Sequence, residues 1–331
     1  MSSSSPPETP RFDVLLTPPD LGPWRSGDAG IPGVVTRDAG WPGPHVVLLA
    51  LTHGNEFAGA IVLDSLLRAG LTPVRGRISF VFANLTAFDR FDPRQPTLSR
   101  FIDEDMNRVW DEAVLQGPRH SVELDRARNL RPLIDTADVV LDLHSMLWPS
   151  EPLILSGPTA HGRTLARAVG WPPTVVTDTG HANGRRLIDY TRFAQSPRSA
   201  ILVEAGQHWR PETVDTTRDC VAGLLRHLEV VSSGWLPAPP QPVPARIAMV
   251  TDTVTARTST FAFVKAWRGG EIVPHRNTVI ALDGQIEIRT PYDDCMLVMP
   301  SLRPGRGHTA VRLARIGEAF AADSSPEVPP D

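Results

Sequence analysis

Two apolar runs of strand length end next to histidines, and this pattern constrains the chain more than any other feature. The first run, 46–51, is followed by His53 and Glu56, and the second, 139–143, by His144. Two histidines and a glutamate are typical of a catalytic zinc site, which leaves one coordination position to water. We therefore predict one zinc ion per chain at these residues. The alternative is that His53 caps a helix and that His144 is a satisfied strand-end histidine.

The spacing of these residues indicates how they converge. Residues three apart lie on one face of a helix, so a helix that starts near Gly54 would direct His53 and Glu56 to one ion. Asp142 lies two positions before His144, and in a strand both side chains point to the same side. We expect Asp142 to accept a hydrogen bond from the far ring nitrogen of His144 and thereby orient the imidazole.

The composition describes a globular chain. Of the 331 residues 41% are hydrophobic and 21% charged, and the net charge of −4 implies no broad basic surface for nucleic acid. No apolar run is long enough to span a membrane, and the first residues lack the pattern of a signal peptide. The two cysteines, Cys220 and Cys295, form no disulfide framework. We predict a cytoplasmic protein with no nucleic-acid or membrane partner, and these data allow a homo-oligomer.

Strand-like and helical patterns alternate along the chain. Strands are predicted at 46–51, 78–83, 139–143, 152–156 and 200–204, and helices at Ala58–Ala69, Glu123–Asp135 and Arg163–Val169. The alternation predicts an α/β fold, a sheet with helices on both faces. Ligands of such sheets bind outside the carboxyl ends of the strands, where His53, His144 and Glu204 are predicted to lie.

A proline-rich segment divides the chain. The predicted divisions are a disordered tail 1–12, a catalytic α/β domain 13–235, a linker 236–245, a β-rich domain 246–320 and a second disordered tail 321–331. Short strand-like runs with turn residues between them follow the linker, at 246–255, 260–266, 278–282, 285–289 and 295–299.

Two further segments carry groups suited to hydrolysis. The polar run 100–108 contains arginines, which bind carboxylates through paired hydrogen bonds or polarise a carbonyl; the alternative is a loop of surface ion pairs. Glu204 ends an apolar run, where an acid costs free energy unless it is paired, metal-bound or used. Beside a zinc site it can take a proton from water and deliver it to a leaving amine. The alternative is a salt bridge to an arginine.

Together these motifs resemble the aspartoacylase/succinylglutamate desuccinylase family, relatives of the zinc carboxypeptidases. The matching residues are Thr52-His53-Gly54-Asn55-Glu56, Asn84, Arg100, Asp105-Met106-Asn107-Arg108, Asp142-Leu143-His144-Ser145 and Val203-Glu204-Ala205-Gly206. The resemblance runs from about residue 46 to 207 in order and approximate spacing, and the β-rich region also resembles the family's C-terminal domain. It implies a zinc carboxypeptidase-like mixed sheet flanked by helices, with a smaller C-terminal β-rich domain.

The resemblance also implies an activity, the hydrolysis of an N-acyl amino acid to a carboxylate and a free amino acid. It implies that His53, Glu56 and His144 bind Zn²⁺. Glu204 would act as general base and acid, and Arg100 would polarise the scissile carbonyl.

The resemblance assigns substrate binding to a second group. Asn107 and Arg108 would hold the α-carboxylate of the small-molecule substrate, and Asn84 is grouped with them. Family members also bind the variable group of the substrate, which is the amino-acid side chain or the acyl group, with an arginine shortly before the catalytic glutamate. Arg192 is the best candidate here, although it lies farther upstream than expected, and Arg198 is its rival.

The variable group of the substrate is open on the sequence alone. Aspartoacylases place a tyrosine near the end of the β-rich domain, and the nearest equivalent position here falls around His308. Met146, Trp148 and Trp209 follow the predicted strands and would suit an uncharged or aromatic group if they line the site. The alternative is that they pack in the core, and an inward Arg192 would instead favour an acidic group.

Two other functions are compatible with parts of the pattern. A metallocarboxypeptidase would use the same metal, base and carboxylate clamp on a peptide C-terminus, although an added β-rich domain favours small substrates. A metal-binding module without catalysis would need neither Glu204 nor Arg100.

Overall fold

The computed structural model describes residues 11–28, 30–181, 183–194, 197–241 and 243–317. Its strands are β1 Val34–Asp38, β2 His45–Ala50, β3 Arg77–Phe82, β4 Val139–Met146, β5 Leu153–Leu155, β6 Thr174–Thr177, β7 Ser199–Gln207, β8 Arg246–Thr255, β9 Ala262–Phe263, β10 Ile272–Val273, β11 Val279–Asp283, β12 Ile286–Arg289, β13 Cys295–Val298 and β14 Thr309–Gly317. Its α-helices are α1 Ala58–Arg68, α2 Leu85–Phe88, α3 Glu112–Gln116, α4 Val122–Ile134, α5 Ala160–Val169, α6 Thr191–Ala194 and α7 Pro211–His227.

A mixed sheet of 11 strands organises the fold, in the order β1-β3-β2-β4-β7-β5-β6-β8-β14-β13-β10. Strands β3, β2, β4 and β7 run parallel, whereas β5 is antiparallel to β7 and parallel to β6. Helices α1, α5 and α7 pack on one face of the sheet and α4 packs on the other. Each face has its own cluster of buried apolar residues. The predicted α/β class with a mixed, helix-flanked sheet is confirmed.

The central strands explain where the polar site lies. Strands β2 and β4 are buried along their whole length, so their side chains read as continuous apolar runs rather than alternating ones. Because β2, β4 and β7 are parallel, their carboxyl ends meet at one edge of the sheet. The segments after β2 and at the ends of β4 and β7 therefore form one site.

The C-terminal region is β-rich, as predicted, but it is joined to the main sheet. Strand β8 pairs in parallel with β6, and β14, β13 and β10 extend the sheet beyond it. A separate sheet of three strands, β12-β11-β9, completes the region. The division into domains stays a prediction, and the described residues of the linker 236–245 have no helix or strand.

The predicted tails fall mainly outside the described residues, but Phe12 is an exception. Its ring packs on Trp148 and Trp209 with centroids 5.5 and 6.0 Å apart, so this end of the predicted tail covers the main domain. Cys220 and Cys295 are buried and free, as expected. Within the described part of the chain, no helix combines the length and apolar character needed to cross a membrane.

Candidate metal and substrate site

A tight turn after β2 brings the first two predicted ligands together. Leu51 has a φ of +62°, which is strained for a branched residue and costs about 1–3 kcal/mol. Gly54 packs against the backbone of α2, where an added Cβ would lie 2.4 Å from Phe88 N. Helix α1 begins only at Ala58, so the predicted helical start near Gly54 is wrong. The turn, closed by Glu56 N–H donating to the His53 carbonyl at 3.2 Å, directs both side chains to one point.

His53, Glu56 and His144 converge in a buried cluster whose ligand atoms all lie within 4.8 Å of one another. Glu56 lies between the rings, with Oε1 2.8 Å from His53 Nδ1 and Oε2 3.0 Å from His144 Nδ1. His53 Nδ1 makes no hydrogen bond of normal geometry despite this short distance. A buried ring nitrogen without a hydrogen-bond partner, facing a carboxylate and a second imidazole, fits the donor set of a divalent metal.

The outer nitrogen of each imidazole faces an aspartate. His144 Nε2 lies 2.9 Å from Asp142 Oδ2, the contact expected from the sequence, and Thr52 Oγ1 donates to the other oxygen of Asp142 at 2.8 Å. His53 Nε2 lies 2.8 Å from Asp105 Oδ1. Asp142 favours the tautomer of His144 that leaves its Nδ1 lone pair facing the cluster. His53 Nε2 also lies 2.9 Å from Arg100 Nη2, so two groups compete for that ring nitrogen.

Arg100 lies against the same cluster. Its guanidinium donates to Glu56 Oε1 at 2.8 Å and to Asp105 Oδ2 at 3.2 Å. Although burial opposes the charge, Asp105 and Glu56 raise the pKa of Arg100, so it stays cationic. Burial likewise opposes ionisation of Asp105, yet His53 and Arg100 hold the pKa of that carboxyl well below its usual range.

Asn84 supports this loop instead of facing substrate. Its Oδ1 caps α2 by accepting from Ala87 N at 3.1 Å, and its Nδ2 donates to Glu123 Oε1 at 2.9 Å. The fully buried Glu123 in turn accepts three backbone N–H groups of residues 102–104. The side chain of Asn84 does not line the cavity, because both its polar groups are used by the scaffold.

Glu204 lies beside the cluster at the end of β7, paired in register with His144 on β4. It is buried, and its Oε2 has no hydrogen-bond partner. Burial raises the pKa of Glu204 to about 8, against the attraction of His144, and the charge of Glu56 adds to the rise. A carboxylate poised in this way can both accept and return a proton near neutral pH.

A cavity of 640 Å³ opens over the cluster. The residues that line it include the cluster, Arg100, Glu204 and His208, together with Phe101, Asp105, Asn107, Arg108, Ser145, Met146, Leu147, Trp148, His181, Arg186, Met299, Ser301, Arg303, His308 and Arg312. The C-terminal β-rich region thus forms part of the wall, and His308 lies there, as the sequence suggested.

One side of the cavity is basic. Arg186 is buried and donates to Asp178 Oδ2 at 3.0 Å and to Asp189 Oδ2 at 2.6 Å. Arg312 is also buried, but its Nε lies 3.9 Å from Asp178, beyond hydrogen-bond distance. Burial, together with the charges of neighbouring arginines, lowers the pKa of Arg108 to about 10. Both carboxylates are thus used by Arg186, and positive charge remains facing the cavity.

Asn107 and Arg108 line the cavity together with these arginines. Asn107 Oδ1 accepts from Leu187 N at 2.9 Å, which leaves its Nδ2 group for other partners. Arg108 donates from Nη1 to the carbonyl of Asn107 at 2.6 Å. Among the described residues, no carboxylate lies within ion-pair distance of Arg108. The pair can therefore accept an anionic group.

The structure does not bring Arg192 or Arg198 to the cavity. Arg192 is exposed on α6, because this short helix buries Phe193 instead. Arg198 lies at the opposite end of β7, where Nη1 donates to the Asp135 carbonyl at 2.7 Å. Neither residue lines the cavity, so the prediction that Arg192 or Arg198 binds the variable group of the substrate is wrong.

Arg186 and Arg312 occupy the basic side instead, and the sequence analysis missed both. Arg312 had a recognisable signal, since it interrupts the apolar run of β14, a strand that was not predicted. Arg186 had no such signal, because only the folded loop brings Asp178 to it.

The apolar part of the cavity lining is only partly as predicted. Met146 and Trp148 line the cavity together with Leu147. Trp209 does not line it, because its indole is buried and donates to the Asn55 carbonyl at 2.9 Å. His208 was passed over in the sequence analysis and faces the cavity, and burial lowers the pKa of its ring to about 4.

Comparison with known proteins agrees with this site. Residues 42–228, more than half of the chain, match the model of the succinylglutamate desuccinylase/aspartoacylase catalytic domain. No curated protein matches the chain.

Solved structures share the fold. A succinylglutamate desuccinylase from Vibrio parahaemolyticus superposes with a TM-score of 0.64 at 19% identity, covering 87% of this chain and 87% of that chain. One from Chromobacterium violaceum gives 0.62 at 21% identity over 88% and 90%. An ectoine utilization protein from Ruegeria pomeroyi gives 0.60 at 17% identity over 85% and 87%. The chain therefore belongs to the succinylglutamate desuccinylase/aspartoacylase family, a family of hydrolases.

Proposed function

We propose that this protein is a zinc-dependent hydrolase of N-acyl amino acids. The observation that carries the proposal is the buried cluster of His53, Glu56 and His144, with an unpaired Nδ1 on His53 and the buried acid Glu204, whose Oε2 has no hydrogen-bond partner, beside it. Zinc bound there would polarise a carbonyl and lower the pKa of a bound water toward about 7. The donor set of two imidazoles and one carboxylate is typical of catalytic zinc.

The side chains around the cluster supply the remaining steps. Glu204 takes the proton of the attacking water as the water oxygen bonds to the acyl carbon. Arg100, which is hydrogen-bonded to Glu56, polarises the scissile carbonyl. Glu204 then returns the proton to the amide nitrogen as the carbon–nitrogen bond breaks, and a carboxylate and an amine leave.

Arg108, with the Nδ2 group of Asn107, is proposed to bind the α-carboxylate of the substrate. Replacing that carboxylate by a neutral amide should lower kcat/KM strongly, because the guanidinium loses its charged partner. Arg108→Ala should remove most of this discrimination while zinc content stays unchanged. Kinetics on matched acid and amide substrates provide the measurement, and equal hydrolysis of both by the wild type would refute the clamp.

The basic side favours a second anionic group on the amino-acid part. Arg312 faces the cavity without a hydrogen-bonded carboxylate, and a buried cation of this kind is stabilised by an anionic ligand. Met146 and Trp148 give the cavity an apolar part of its lining, which suits an uncharged acyl group. We therefore propose an N-acylated acidic amino acid with an uncharged acyl group as the substrate class.

A panel of substrates tests this class. We expect the zinc-loaded protein to hydrolyse N-acetylaspartate or N-acetylglutamate faster than N-acetylphenylalanine and faster than N-succinylglutamate. Arg312→Met should reduce the preference for the acidic amino acid and leave N-acetylphenylalanine turnover unchanged. A clear preference for the aromatic compound would instead support the apolar pocket, and one for the succinyl compound would move the second carboxylate to the acyl side.

The panel should also include a dipeptide with a free C-terminus, to test for metallocarboxypeptidase activity. We expect poor hydrolysis of longer peptides, because Ser301, Arg303 and His308 of the β-rich region line the cavity and limit the length of the substrate. A non-catalytic metal-binding module would show zinc binding without turnover of any compound. The proximity of Glu204 and Arg100 to the cluster speaks against that function, since binding alone needs neither.

A further inference from the structure

We propose that His208 is a further substrate-contacting residue, which donates a hydrogen bond from Nε2 to the oxygen of the scissile acyl group. The proposal rests on the proposed function and adds a second donor to that of Arg100. It follows from how the backbone aims the ring, from which ring nitrogen carries the proton and from what the ring faces.

The backbone at the end of β7 is shaped to turn His208 toward the site. The pairing of β4 with β7 shifts register between His144 and Met146, where Ala205 and Gly206 of β7 stand opposite Ser145 of β4. Such a bulge bends the strand and changes the direction of nearby side chains, and it is frequent beside active sites. Gly206 permits it with a φ of +136°, and an added Cβ there would lie 2.8 Å from Thr213 Oγ1.

The residue after His208 fixes this conformation. Trp209 has a φ of +60°, a strained value for a residue with a side chain, which costs about 1–3 kcal/mol. The indole Nε1 donates to the Asn55 carbonyl at 2.9 Å, and His208 N donates to the Met146 carbonyl at 2.8 Å. These two hydrogen bonds fix the strained backbone, one to the turn that carries His53 and Glu56 and the other to β4. The imidazole of His208 therefore has little freedom to leave the site.

The hydrogen bonds of the ring assign its proton. His208 Nδ1 lies 2.7 Å from the buried hydroxyl of Ser145, and no other described acceptor lies within hydrogen-bond distance of that hydroxyl. The hydroxyl therefore donates to Nδ1, and Nε2 carries the proton. No described residue accepts from Nε2, since the nearest carboxylate oxygen, Glu56 Oε1, is 4.0 Å away. The Nε2 donor of a residue that lines the cavity is thus not hydrogen-bonded to any described residue.

The surroundings of this donor indicate its ligand. The ring lines the same cavity as Glu56, Arg100 and Glu204, and the backbone N–H of His208 donates to the carbonyl of Met146, one of the apolar lining residues that we assign to the acyl group. An oxygen that gains negative charge during attack on the acyl carbon would be stabilised by the donor of His208 together with that of Arg100. Losing one donor of this kind typically costs about 10²–10³-fold in kcat.

Two substitutions of His208 separate the two ring nitrogens. His208→Asn places an amide where Nδ1 was and keeps the contact with Ser145, whereas His208→Gln reaches the position of Nε2. We expect kcat/KM on the best panel substrate to fall about 10²–10³-fold for Asn and clearly less for Gln, with one zinc per chain in both. His45→Gln is the matched control, because it keeps the hydroxyl contact that His45 makes through Nε2 with the buried Ser79, at 2.9 Å, away from the cavity. It should leave kcat/KM unchanged in the folded protein.

Nuclear magnetic resonance of the imidazole nitrogens tests the proposal without turnover. We expect His208 to carry its proton on Nε2 in the zinc-loaded wild type, and this signal should shift when acetate is added as a mimic of the acyl product. A proton on Nδ1, or an Nε2 coordinated to zinc, would overturn the assignment. So would His208→Asn turning over at the wild-type rate. Absence of turnover by the wild type on the whole panel would refute the proposed function, and the resonance would still decide the role of His208.

Discussion

Replacing His53 or His144 with alanine is expected to remove zinc and amide hydrolysis together. Each imidazole contributes one of three ligand atoms within 4.8 Å, and two remaining ligands hold zinc weakly. Loss of either ring also removes one of the two imidazoles that contact Glu56, and Arg100, which donates to the same carboxylate, cannot act as a metal ligand. Zinc content by elemental analysis and hydrolysis of the panel substrates provide the two measurements.

A graded series strengthens this test. Asp142→Asn keeps the three ligands but removes the carboxylate behind His144, so it should lower zinc affinity by about 10–100-fold without abolishing binding. His45→Ala should retain zinc, because this buried histidine lies outside the cavity. Full zinc occupancy in both His53→Ala and His144→Ala would place the metal elsewhere or exclude it from this cluster.

The sequence predicts the centre of the site well, because that centre depends on strand ends. Apolar runs define β2, β4 and β7, and parallel strands bring their carboxyl ends to one edge of the sheet. His53, His144 and Glu204 follow these runs directly, so their proximity requires no knowledge of loop conformation. The contact of Asp142 with His144 follows from the period of two in a strand.

The substrate side was predicted less well, because it depends on loops and on distant strands. Asn84 matches a motif of the family in the sequence, yet its side-chain oxygen caps α2 and its amide group donates to Glu123. Arg192 precedes Glu204 at a somewhat longer spacing than expected, and α6 buries Phe193 and exposes the arginine. Arg312 comes from β14, which reaches the cavity only because the β-rich region extends the main sheet.

One local irregularity also escaped the pattern. The pairing of β7 with β4 is shifted after Glu204, and this bulge distorts the end of β7 where His208 contacts Ser145. Trp209, a candidate for the cavity wall because it follows the predicted strand, instead donates to the Asn55 carbonyl. The bulge is visible only in the pairing of β7 with β4.

Glu204→Gln is expected to lower kcat by about 10²–10⁴-fold and to leave zinc binding almost unchanged. The carboxyl lies beside the cluster and is not one of its three ligands, and its Oε2 has no hydrogen-bond partner. Glutamine keeps the size of the side chain but cannot carry the proton from water to the leaving nitrogen. Glu56→Gln is the matched control, because the same change at a ligand should release the metal instead. Zinc-loaded Glu204→Gln protein with a near-normal kcat would show that another group transfers the proton, and the Glu56→Gln result would then distinguish a misassigned base from a misassigned site.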